Sequence, residues 1–159
     1  MNAQKIKAEI SEKHELFIAF ITGLTDEAFL SVKNNKWSAG QQLEHIYLSV
    51  KPLRQALSLP RFVLKIAWGK ANRNSRTYPG LVEKYLQKLE AGGSATARFI
   101  PKPVNIDKRS VLITKLLAEI NHLGSKVDRF SEQELDQYIL PHPLLGKLTL
   151  REMLFFTIY

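Results

Sequence analysis

The stretch from Lys36 to Leu48, KWSAGQQLEHIYL, constrains this chain more than any other. Ser38 stands where a helix N-cap accepts from the first turn. Gln41, three residues on, is spaced to reach back, as a capping box requires. Trp37 lies just outside the cap, placed to pack on the first turn. Leu43, Ile46, Tyr47, Val50, Leu53 and Leu57 then recur at helical spacing as one apolar stripe. His45 is off that stripe. At about 100° per residue it shares a lane with Gln41, Leu48, Pro52 and Ala56. The helix is therefore expected to bury two sides, with a histidine on the second, and to fade near Ser58, before Pro60.

The same periodicity predicts the other elements. A long first helix covers roughly Ala3 to Leu24, with Ile6, Ile10, Phe17, Phe20, Ile21 and Leu24 on its stripe and His14 at the edge. Thr25-Asp26-Glu27 opens a turn or two, and Asn34-Asn35 marks a loop. Arg61 to Trp68 reads as a short amphipathic piece bearing Phe62, Val63, Ile66 and Trp68, followed by an exposed loop to Arg76. Another helix starts at Tyr78-Pro79 and ends at Gly92-Gly93. After a proline-containing crossover, Asp107 to Phe130 forms a helix with Ile113, Leu116, Leu117, Ile120, Leu123 and Val127 on one face. Ser131 and Glu134 make a second capping box, HPLLGKL a turn, and Thr149 with Glu152 caps a last helix through Leu154 to Tyr159. No segment alternates apolar and polar residues as a strand does.

The expected fold is all-α. It is a four-helix bundle with long crossover connections and short extra helices, whose connections are too long for an up-down-up-down order. With 159 residues the chain is expected to form a single domain, 1–159. Leu43, Val50, Ile113, Leu117, Ile120 and Leu154 are expected to share its core. The last helix has roughly eleven residues, about 16 Å, and stops at an apolar FFTIY without a cap. It is expected to be cut short at Tyr159.

Composition narrows the function. There is no cysteine, which excludes a disulfide framework, thiolate metal ligands and a cysteine nucleophile. The amino terminus is charged and helical rather than signal-like, and no apolar run is long enough to span a membrane, so cytoplasmic residence is the expectation. The net charge of +8 is concentrated centrally. Between Glu44 and Glu83 there is no acidic residue, whereas Lys51, Arg54, Arg61, Lys65, Lys70, Arg73 and Arg76 are basic. Such a field attracts anions or simply solvates a face. With no base-reading motif nearby, Arg61, Lys65, Lys70, Arg73 and Arg76 are expected mostly to face solvent and not to recognise specific nucleic acid. Nucleophile-elbow, Walker and dinucleotide-loop patterns are missing from the sequence.

Trp37-Ser38 followed by His45 resembles the second-helix signature of the DinB-like (YfiT-like) superfamily of four-helix-bundle metalloproteins. His142-Pro143, Gly146, Leu148-Thr149 and Glu152 look like that family's approach to its final helix, and the likeness extends in outline over the whole chain. The resemblance implies a divalent metal, zinc or nickel, held by three histidines. His45 would be one; the others would come as a His-x-x-x-His pair on the last helix, one turn apart, leaving a position open for substrate. That pair is not in this sequence, so a metal is expected only if the last helix continues beyond Tyr159, and none in the chain as given. The resemblance further implies a metal-dependent transferase that uses low-molecular-weight thiols on small molecules, the metal favouring the thiolate.

The remaining histidines have plainer readings. His14 is expected to pack, His122 to be solvated and His142 to serve in a turn; His45 itself is expected in a cleft among the main helices. Glu44 is tempting as a base, but neighbours on a helix point about 100° apart. Three function classes therefore stand in order. They are a metal-dependent thiol S-transferase, a non-catalytic binding module of the same fold lacking a complete metal site, and a basic protein contacting nucleic acid or anionic membrane. A homodimer is compatible with any of them.

Overall fold

A computed structural model of the chain describes residues 1–34 and 36–159. Asn35, half of the expected loop signal, lies outside the described residues; Asn34 takes the left-handed conformation (φ 52°) that asparagine tolerates in turns. The helices are α1 (Ala3–Gly23), α2 (Asp26–Leu30), α3 (Ala39–Ser58), α4 (Arg61–Trp68), α5 (Tyr78–Glu90), α6 (Arg109–Val127), α7 (Glu132–Gln137) and α8 (Leu150–Ile158). Three-residue 3-10 turns interrupt the crossover at Ala97–Phe99 and Ile106–Lys108.

The capping boxes form as the residues dictate. Ser38 Oγ accepts from the Gln41 N–H at 3.2 Å, and the Gln41 side chain accepts from the Ser38 N–H at 3.1 Å. Ser131–Glu134 and Thr149–Glu152 close in the same way. Each box satisfies two of the N–H groups that a helix start leaves unpaired.

Helix direction follows from the contacts at each end of the bundle. At one end Lys7 of α1 pairs with Asp128 at 2.6 Å, just past α6, and Arg129 donates to the carbonyls of Leu57 and Ser58, where α3 finishes. Arg151, opening α8, donates to the Met1 carbonyl at the same end. At the other end Arg109, opening α6, donates to the carbonyls of Ile21, Thr22 and Leu24, where α1 finishes. Phe29 lies under both the Arg109 guanidinium and Gly40 in the first turn of α3. Thus α1 and α8 run one way, and α3 and α6 the other. This is up-down-down-up, the order that long connections require.

The core joins Ile6, Ile10 and Ile21 of α1 to Leu43, Val50, Leu53 and Leu57 of α3, Leu112, Leu116, Ile120 and Leu123 of α6, and Leu150, Leu154 and Phe155 of α8. Two expectations fail at the edges of stripes. Leu117 is 37% exposed, and Leu112 is buried instead, whereas Ile113 is partly buried and packs against the core as expected. Phe20 is likewise exposed on α1. A stripe read from spacing has a centre but no sharp border, and the neighbouring helix decides which flank is covered.

The segment expected as a turn is a hairpin. β1 (Ile139–His142) pairs antiparallel with β2 (Gly146–Thr149), Leu140 opposite Leu148 and His142 opposite Gly146. Leu140 and Leu148 enter the core, so this small sheet contributes to it. The strands are four residues each, and Pro141 sits inside β1, so they are too short to show alternation. The fold remains all-α apart from this hairpin.

Candidate functional site

His45 lies in the second turn of α3, partly buried. Its Nδ1 is 2.7 Å from the carbonyl oxygen of Phe99, in the crossover turn. A carbonyl only accepts, so Nδ1 carries the proton and Nε2 of the neutral ring keeps its lone pair. Trp37, eight residues earlier, places its ring 4.9 Å from the imidazole, centroid to centroid. The partner of His45 is therefore a backbone carbonyl. Open surface clefts among the described residues include one of about 520 Å³ along α5 at Tyr78, Val82 and Leu86, and one of about 600 Å³ between Thr25 and Trp37. Trp37 lines the second, but His45 lines neither. Beside it, one carboxylate oxygen of Glu44 is buried with no hydrogen-bond partner among the described residues.

The other histidines serve local structure. His14 is buried on α1, with Nδ1 donating to the Ile10 carbonyl at 2.7 Å, and burial holds its pKa below the usual value despite that bond. His142 accepts at Nδ1 from the N–H groups of Leu144 and Leu145, at 3.2 and 3.1 Å, and so caps the hairpin turn. Burial lowers its pKa to about 4. His122 is exposed. Among the described residues no three His, Asp or Glu side chains converge on one point. No second histidine, aspartate or glutamate among the described residues joins His45 in a three-donor group.

The sequence matched by the DinB superfamily runs from residue 9 to residue 159. The chain belongs to the DinB superfamily. No curated relative and no solved structure matches it.

Within this DinB-type bundle the strongest polar constellation centres on Glu152, whose side chain is 0% exposed. Arg73 grips both carboxylate oxygens at 2.7 Å; Arg76 donates to Oε1 from its backbone N–H at 2.9 Å and its Nη1 at 3.0 Å. Burial alone would raise this carboxyl, but Arg73 and the N–H groups of Arg76 and Thr149 hold it below the usual carboxylate range. The expectation that the basic run mostly faces solvent thus fails for Arg73 and Arg76. It fails also for Arg61, which pairs with Glu134 at 2.8 Å and donates to the Arg129 carbonyl. It holds for Lys65 and Lys70, which are exposed. Spacing places Glu152 as a cap but carries no sign of the arginines, which lie 79 and 76 positions earlier. The only hint is an acid set among the apolar residues of a short helix.

Proposed function

We propose that this DinB-superfamily protein is a divalent-metal-dependent enzyme of the thiol S-transferase type acting on small molecules, with His45 as its first metal ligand. One observation carries the proposal: the Nδ1–H···O=C bond to Phe99 orients the imidazole and leaves Nε2 as the lone-pair nitrogen. A ligating histidine uses the same arrangement, donating through its other ring nitrogen to a fixed acceptor. The direction of α8 supports it. That helix rises from the end where α3 finishes and spans about 13 Å, while His45 lies about 20 Å from the same end of α3. A longer final helix rises to the level of His45, where a histidine pair one turn apart could complete the donor set. The alternative is a non-catalytic binding module of the same fold that lacks a complete metal site.

Metal titration followed by dialysis and elemental analysis separates the two. The test compares the 159-residue chain with one whose last helix is extended by a His-x-x-x-His pair, each with and without His45→Ala. Stoichiometric zinc or nickel in the extended protein, strongly weakened by His45→Ala, is the expected result, with thiol conjugation to an electrophilic acceptor dependent on that metal. Metal bound equally well without His45 places the site elsewhere. Metal bound as expected but without any thiol transfer favours the binding module.

A further inference from the structure

Helix α4 is inverted relative to an ordinary surface helix. Leu64 is its only buried side chain, yet the opposite pole carries Phe62 and Ile66, one turn apart, 65% and 80% exposed. At about 100° per residue these two lie within about 40° of each other and directly opposite Leu64. Exposed Lys65 flanks the pair, and exposed Lys70 follows the helix. A solvated pole would normally be polar.

The charges around this end of the bundle are one-sided. Every acid on the neighbouring elements is already engaged: Asp128 by Lys7, Glu132 and Asp136 by Arg151, and Glu134 by Arg61. Lys65 and Lys70 form no ion pair among the described residues, and Arg129 contacts only carbonyls there. An apolar pole with free cations beside it therefore faces outward.

We infer that α4 docks this end of the bundle on an anionic lipid surface, Phe62 and Ile66 entering the headgroup boundary and Lys65 and Lys70 meeting the lipid phosphates. Lipid fits better than a second copy of the chain. Two side chains cover far less than the roughly 800 Å² per partner that a stable dimer buries, and a symmetric pairing sets like charges together. A membrane boundary accepts a short apolar pole and is drawn to cations, an attraction that falls with salt. None of this depends on the metal site.

Cosedimentation with vesicles tests it, comparing phosphatidylcholine alone with an equimolar mixture of phosphatidylcholine and phosphatidylglycerol. The wild-type chain should bind the anionic vesicles about tenfold more tightly than the neutral ones, and less so as salt rises. Phe62→Ser with Ile66→Ser, and separately Lys65→Glu with Lys70→Glu, should each lower that binding about tenfold. All four positions are exposed, so melting curves should stay unchanged and exclude misfolding as the cause. Equal binding to both vesicle types, or anionic binding indifferent to Phe62 and Ile66, overturns the assignment. So does a dimer in sedimentation velocity that the Phe62/Ile66 pair dissolves, since it gives the patch to a second copy.

Discussion

Nδ1 of His45 meets the carbonyl oxygen of Phe99 at 2.7 Å, across 54 positions of sequence. The bond requires a protonated Nδ1, whereas the two N–H groups donating to Nδ1 of His142 require the opposite tautomer. Long-range proton–nitrogen NMR at neutral pH should therefore show Nδ1–H for His45 and Nε2–H for His142. An Nε2–H signal from His45 would remove the orientation on which its ligand role rests.

Glu152→Gln keeps the shape of the side chain but leaves two guanidiniums facing a neutral amide. Breaking a buried ion pair typically costs 3–5 kcal/mol. Arg73 and Arg76 keep 33% and 28% of their side-chain surface in water, so the low end, about 3 kcal/mol, is expected. Urea unfolding of the two proteins measures the difference, and a cost near zero would show that the arginines are held by other bonds.

Acid should destabilise the protein in two windows. His142 binds its proton near pH 6.5 when unfolded but near pH 4 when folded, so the unfolded state takes up more protons between these values. Its contribution is full above about pH 6.5 and is lost as pH falls toward 4. Glu152, depressed when folded, contributes fully above its unfolded value of about 4.5 and loses that contribution as pH falls through its lower folded value. His142→Asn should flatten the stability profile between pH 7 and 5 while leaving the more acidic limb in place. A profile unchanged over that upper range would contradict the burial of this ring.

The core can be tested on two adjacent leucines. Leu116 is 0% exposed, and its replacement by alanine should cost roughly 2–5 kcal/mol. Leu117→Ala, on the uncovered flank, should cost less than about 1 kcal/mol. Equal losses in thermal or denaturant unfolding would mean that α6 is rotated from the orientation described.

Much of the fold was legible because its signals are local. Ser38–Gln41, Ser131–Glu134 and Thr149–Glu152 announce helix starts within three residues, and the apolar periodicity identifies α1, α3 and α6 without reference to anything distant. His45 could be singled out for the same reason, since its place off the α3 stripe depends only on spacing. The hairpin was not legible, because two four-residue strands, one of them holding Pro141, are too short to carry alternation.

The sequence by itself determined where helices begin, which stripes they bury, and that a histidine stands apart on the second side of α3. Tertiary structure alone decided that Phe99 holds that histidine, that Leu112 rather than Leu117 joins the core, and that Arg73 and Arg76 close on Glu152 while Phe62 and Ile66 remain outside. The division has a physical cause. Caps and periodicity arise from contacts three or four residues apart and are written wherever those residues stand. Partners 54 to 79 positions away are chosen only when whole helices pack, because the same side chain can meet solvent, a carbonyl or an opposite charge according to what is brought beside it.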